Sequence, residues 1–242
     1  MHPAFLPYRR WIDALGGIER VPTLTMLNRV AQDAGVALPD GRALRFEKAP
    51  PRRTPALAYE RRIADDAVIE FREGSRHDLA NALVWFAFPS VKAALNAVHL
   101  RDGLESTANG RSRGRDAATL VDEAGMIFVC RDVELIALLR VWQWHALFWE
   151  RRERAARQIH AIVIGHGLLD KLRAPFRALT AQALVIDTDV RHADDVAASQ
   201  MRARDFAPHR LAPLPVAALP GWDSEGIGER LFDDEEVFRV KR

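Results

Sequence analysis

In "AIVIGHGLLDKL" (Ala161–Leu172) four apolar residues run into Gly-His-Gly and an amphipathic segment follows. A strand handing over to a helix there places His166 at a strand's carboxyl end, where α/β layers gather their sites. Imidazole titrates near neutrality, so His166 is read as a general acid/base. Backbone N–H groups at the helix start predict a small anion-binding pocket at Gly165–Leu168, with Lys171 one turn further on. The adjacent carboxylates Asp122 and Glu123 are read as its catalytic partners; Asp122, with Asp234 from the acidic tail, could hold a divalent metal ion. His77, Asn81, Lys92 and Asn96 interrupt otherwise apolar segments and, with Gly165 and Lys171, are read as substrate contacts.

Each of these residues also has a plainer use. Asp78, beside His77, suits a helix N-cap. Buried asparagines form structural hydrogen bonds. Asp122 suits a turn, and Asp233-Asp234 a solvated charge run. His77-Asp78 matches the metal pair of HD phosphohydrolases, but no further ligands stand at helical spacing. Gly165-His166-Gly167 resembles a nucleophile elbow, yet has histidine where the elbow needs serine. The chain has no phosphate-cradling P-loop, dinucleotide fingerprint, H-E-x-x-H or cysteine pair.

The elements that must position these residues follow from periodicity. "PTLTMLNRVAQDAGV" predicts a short helix, capped by Thr23 or Thr25 and ended by Gly35. "KAPPRRTP" (48–55) reads as an extended connector. "PALAYERRIADDAVI" and "HDLANALVWFAF" read as helices, and Pro89 divides the second from "SVKAALNAVHL", with Ser90 as its N-cap. "ATLVDEAGMIFVC" predicts a β-hairpin with Asp122 and Glu123 at its tip. "DVELIALLRVWQWHALFWERRERAARQI" predicts one long, largely buried helix capped by Asp132. Strands follow at Ile159–Ile164 and in "TAQALVID", then a helix in "RHADDVAASQMRARDF". The tail, "PHRLAPLPVAALPGW", predicts an extended path with its apolar residues buried. This order predicts a mixed α/β (α+β) domain. Residues 1–55 would be an N-terminal extension packed on a domain of residues 56–242.

Composition narrows the function. The 242 residues are 48% hydrophobic, enough for a sizeable core. The one cysteine, Cys130, allows no internal disulfide and suits a reducing compartment. The N-terminus lacks a signal-peptide pattern, and the longest apolar stretch, Leu79–Val91, is too short to span a bilayer. A soluble cytoplasmic protein with no membrane partner is expected. The net charge is +2, too small for a nucleic-acid footprint, so any such binding should be weak and confined to arginines such as Arg111, Arg113 and Arg115. All but four of the 35 basic residues are arginine, which suits recognition of phosphate but is more simply explained by a GC-rich genome.

"HDLANALVWFAFPSVKAALNAVH", "DAATLVDEAGMIFV", "IVIGHGLLDKLRAP", "PLPVAALPGW" and "LFDDEEVFRVKR" together resemble, in this order, segments of bacterial proteins grouped as domain of unknown function 3025. The resemblance implies one family domain from about residue 70 to the C-terminus, and supplies no reaction. The chain departs from it at Gly167, where alanine is usual; the extra glycine predicts a looser corner around His166. Two expectations result. One is a hydrolase or transferase acting on a phosphate-bearing or other anionic small molecule through a His/carboxylate site. The other is a non-catalytic module binding RNA or a protein partner. Convergence of His77, Asp122, His166 and Asp234 on one concavity would separate them.

Overall fold

The structure, a computed structural model, describes residues 1–104, 112–222, 228–239 and 241. Helices α1 (Arg9–Ala14) and α2 (Leu24–Asp33) open the chain. Thr23 caps α2 by accepting from the Met26 N–H, and Gly35, at φ 62°, turns the chain out of it. Strand β1 (Arg45–Lys48) pairs in parallel with β2 (Val68–Phe71), and α3 (Ala56–Asp66) crosses between them. Both strands have four residues, too few for a period to declare them; the helix expected to run to Ile69 ends at Asp66, where Ala67 turns left-handed at φ 56°, and Val68 and Ile69 belong to β2.

Helix α4 (Arg76–Ala87) begins at Ser75, not at Asp78. The Ser75 hydroxyl accepts from the Asp78 N–H, while the Asp78 carboxylate binds the Arg72 backbone and guanidinium. Pro89 then turns the chain through 111° into α5 (Pro89–Leu104). Ser90 does not cap α5 either. Its first N–H groups, on Ser90 and Val91, donate to the Asp194 carboxylate at 3.0 and 2.8 Å.

The expected hairpin is a helix followed directly by a strand. Helix α6 (Arg113–Ala124) is capped by Ser112 and runs without a loop into β3 (Gly125–Val129). Gly114, Ala117, Ala118 and Val121 bury one face at helical spacing, and this burial overrides the β-branched run Thr119–Val121. The expected long helix is also broken. Helix α7 (Val133–Arg140), capped by Asp132, stops before Trp142, which has a left-handed φ of 60°. A wide turn at Ala146–Glu150 leads to α8 (Arg152–Gln158). A straight helix could not bury Leu135, Trp144, Leu147 and Phe148 together; the breaks allow it.

Strand β4 (His160–Val163), helix α9 (His166–Lys171), strand β5 (Thr180–Ile186), helix α10 (Ala193–Arg202) and strand β6 (Leu211–Pro215) complete the chain. The main sheet has the order β4-β3-β5-β6, with β3 parallel to β5 and the other pairs antiparallel. The proline tail supplies its edge: Pro213 and Pro215 cannot donate to a ladder, and an edge strand tolerates that. Leu214, Val216 and Leu219 are buried beneath it. The N-terminal segment belongs to the same core. Tyr8 is fully buried and its hydroxyl donates to the Val163 carbonyl, and Trp11 packs on Phe86. Among the described residues no single helix is long and apolar enough to cross a membrane.

Candidate functional site

Two glycines bring the site together. A Cβ on Gly165 would stand 2.3 Å from the Gly125 nitrogen and 2.6 Å from Ala124 backbone atoms. Without one, the β4–α9 turn lies directly on the α6–β3 junction, and the Ile164 and Gly165 N–H groups both donate to the Gly125 carbonyl, at 2.9 and 2.8 Å. The end of α6, with Asp122 and Glu123, therefore faces the start of α9, with His166. Helix α4 packs on α9 and adds His77.

His166 is buried, with 8% of its surface exposed. Its Nε2 lies 3.0 Å from His77 Nε2, with the ring centres 4.4 Å apart. Glu123 Oε1 is 3.9 Å from the same nitrogen. On the other side of the ring, Nδ1 faces Asp122 Oδ1 at 3.6 Å. Asp122 also forms an ion pair with Lys92, which is buried on α5 and lies 5.5 Å from the Trp85 ring. Burial alone would push the Asp122 carboxyl up, but the Lys92 ammonium and then His166 hold it well below the usual carboxylate range. Burial and the neighbouring His166 lower the pKa of His77. The pair of imidazoles is thus favoured with His77 neutral.

The cluster lines a cleft of about 590 Å³. One wall is the connector 49–56 with Arg53 and Thr54; the others come from α3 (Tyr59, Glu60), α4 (His77, Asp78, Asn81), His99 of α5, and α6 (Arg115, Thr119, Asp122, Glu123). Burial pushes the Glu60 carboxyl up to about 7, against a 2.7 Å hydrogen bond from Asn96 and reinforced by the Asp122 charge. A carboxyl at that value can give or take a proton at neutral pH. Asn81 Oδ1 and Arg115 Nε are buried without a hydrogen-bond partner among the described residues.

A family model matches residues 44–242, and its description is "Protein of unknown function (DUF3025)". The chain belongs to this family. No curated protein and no solved structure matches it. Of the five stretches that carry the likeness to DUF3025, the three supplying α4, α6 and the β4–α9 turn are the ones that meet at the cluster.

The structure assembles part of the expected site. His77, Asn81, Asp122, Glu123 and His166 share the cleft. Lys92 and Asn96 stand behind its wall: Lys92 is turned to Asp122, and Asn96 donates to the Glu60 carbonyl and carboxylate. Lys171 is exposed and does not line the cleft. Asp234 lies in the C-terminal turn, where its carboxylate accepts from the Glu236 and Val237 N–H groups. The expected metal pair of Asp122 and Asp234 is therefore not assembled. The expected anion pocket at Gly165–Leu168 is not there either: the Gly165 N–H is taken up by Gly125 and the segment is buried. Gly167 is not a loose corner. The Glu123 carboxylate fills the space a side chain would need, 2.3 Å from an ideal Cβ. Of the expected RNA-contacting arginines, Arg111 lies outside the described residues, and Arg113 and Arg115 form the first turn of α6.

Tyr59, Glu60 and His99 also line the cleft without having been expected there, and Arg115 lines it where an RNA contact was expected. Lys92, Asn96 and His99 recur at i, i+4, i+7 on α5, as Arg115, Thr119 and Asp122 do on α6. A polar stripe of that period inside an apolar helix is the signal for them.

Proposed function

We propose that this protein is a bacterial cytoplasmic hydrolase that cleaves a phosphate-bearing or other anionic small substrate in the His77–His166 cleft. One observation carries the reading: a buried imidazole has an ionised carboxylate on its Nδ1 side and turns its Nε2 side toward a cleft with arginines on its wall. With the Nδ1 proton directed at Asp122, Nε2 keeps its lone pair. That atom can position and deprotonate an attacking water that takes the place of the His77 contact. Lys92 acts through Asp122, keeping it ionised, and is a positioning residue. Arg53 and Arg115 suit the substrate's charge, and Glu60 is placed to protonate a leaving group. Cys130 is a buried free thiol, which suits a reducing compartment. A protein that only bound RNA or another protein would give this chain of buried charges no task.

The test is turnover of model phosphomonoesters, phosphodiesters and carboxylic esters by the full chain. Wild type is expected to hydrolyse at least one class, and His166→Ala to lose ~10²–10⁴-fold in turnover with little change in melting. No turnover of any class, together with tight, salt-resistant RNA binding, would put the binding module in its place.

A further inference from the structure

We infer that His77, Glu123 and His166 form a site for one divalent transition-metal ion of the zinc type. Each residue offers one ligand atom, and the three atoms lie within 4.8 Å of one another. Metal–ligand bonds of roughly 2.0–2.2 Å set tetrahedral ligand atoms about 3.3–3.5 Å apart. Two separations, 3.0 Å between the two Nε2 atoms and 3.9 Å from His166 Nε2 to Glu123 Oε1, lie on either side of that value, and the third lies within 4.8 Å. Shifts of up to about an ångström would seat the ion, and the Glu123 side chain, 56% exposed, has room to make them.

The surroundings are those a metal-binding imidazole needs. A ligating histidine directs its other ring nitrogen at a carboxylate, which fixes the tautomer and raises the basicity of the ligand atom. His166 Nδ1 faces Asp122 in this way, at 3.6 Å, and makes no hydrogen bond among the described residues. Lys92 pairs with Asp122, so the nearest buried ammonium is taken up by the outer carboxylate and not by Glu123. A hydrogen bond between the two imidazoles would account for one contact. It gives no reason for Glu123 to lie over Gly167 and beside the same nitrogen. Two imidazoles and a carboxylate suit zinc and its first-row neighbours better than magnesium or calcium, and three protein ligands leave a coordination position for water.

This site deepens the hydrolase reading, since the ion would take over activation of the water and His166 would be its ligand; ion binding is read without turnover, so the two can fail separately. Chelator-stripped full-length protein is titrated with Zn²⁺ against a chromophoric chelator, and with Co²⁺ followed by its visible absorption. Wild type should take up a single ion with a low-coordinate Co²⁺ spectrum. His77→Ala and Glu123→Gln should each weaken binding at least tenfold, and Asp122→Asn by about 10–100-fold. His160→Ala, an exposed histidine outside the cluster, should bind as wild type. Should His77→Ala fail to fold, the exposed Glu123→Gln decides the matter. No stoichiometric uptake by wild type, or uptake unchanged in Glu123→Gln, overturns the site. An ion bound without turnover of any ester keeps the site and removes the hydrolase. Turnover by stripped protein that takes up no ion keeps the hydrolase and removes the metal.

Discussion

The trough along β6 is larger than the cleft at His166, and the two hold their charges differently. The trough, of about 870 Å³, is lined by Arg140, Trp142, Phe206, His209, Arg210, Pro213 and Lys241. The cleft at His166 is smaller, about 590 Å³. In the trough the charged groups meet each other at the surface: Arg210 pairs with Asp205, both side chains more than half exposed, and Lys241 donates to the Arg140 carbonyl. Exposed pairs of this kind contribute little. At His166 the charges are buried or half-buried, and their environments move their protonation in different directions: Asp122 down, Glu60 up. An edge strand with prolines and an irregular neighbour leaves volume as a by-product. Buried ionisable groups are costly and persist only where something compensates them, which makes them the better guide to function.

The contrast can be broken most severely from the trough side. Deleting residues 208–242 removes β6 and the buried Leu214, Val216 and Leu219. At roughly 1.5–3 kcal/mol for each large apolar side chain, the loss exceeds about 5 kcal/mol, comparable to the whole stability of many domains. The shortened chain should show no cooperative thermal transition; unchanged melting would mean that β6 is ornamental.

Next in size is Lys92→Met. It leaves the Asp122 carboxylate without its ammonium and should cost about 3 kcal/mol in urea unfolding. Lys92→Met with Asp122→Asn should recover much of that loss, because no uncompensated charge remains. Equal losses in the single and double variants would show that packing, and not charge, holds this wall.

The smallest effect is a slope. Glu60, at about 7 against an ordinary 4.5, favours its protonated form in the folded protein. Its contribution to stability is fully present below about pH 4.5 and is lost as the pH rises to about 7. Allowing for its partial exposure, the change is about 2 kcal/mol. Glu60→Gln should flatten that part of the stability profile and be the more stable protein at pH 8. An unchanged profile would place Glu60 in solvent and remove it from the cleft's acid/base groups.

Much of the fold is legible because its signals are local. The Thr23 cap, the Pro89 break, the strand before Gly165 and the buried tail each rest on a few adjacent residues. The α6 error has a local cause as well. Thr119-Leu120-Val121 before Asp-Glu-Ala-Gly looks like a hairpin, and the helical spacing of Gly114, Ala117, Ala118 and Val121 appears only over a longer window. The site was legible as a set of residues, not as a place. His77, Asp122, Glu123 and His166 each stood out by type. Their meeting depends on the contact of Gly125 with Gly165 and on the packing of α4 against α9, and neither leaves a periodic trace. Asp234 and Lys171 looked equally suitable by type and are placed elsewhere.

The Asp194 carboxylate gives this architecture a timetable. It holds the first N–H groups of α5 from 104 and 103 residues further along the chain. At a synthesis rate of ~5–20 residues per second, about 5–20 s separate the emergence of Ser90 from that of its partner. Over that interval the start of α5 has no carboxylate to close it, and Lys92 lies within its first turn. A nascent chain therefore carries Lys92 and Asp122 for seconds before the start of α5 is fastened, and this part of the cleft's wall is closed only once Asp194 has emerged.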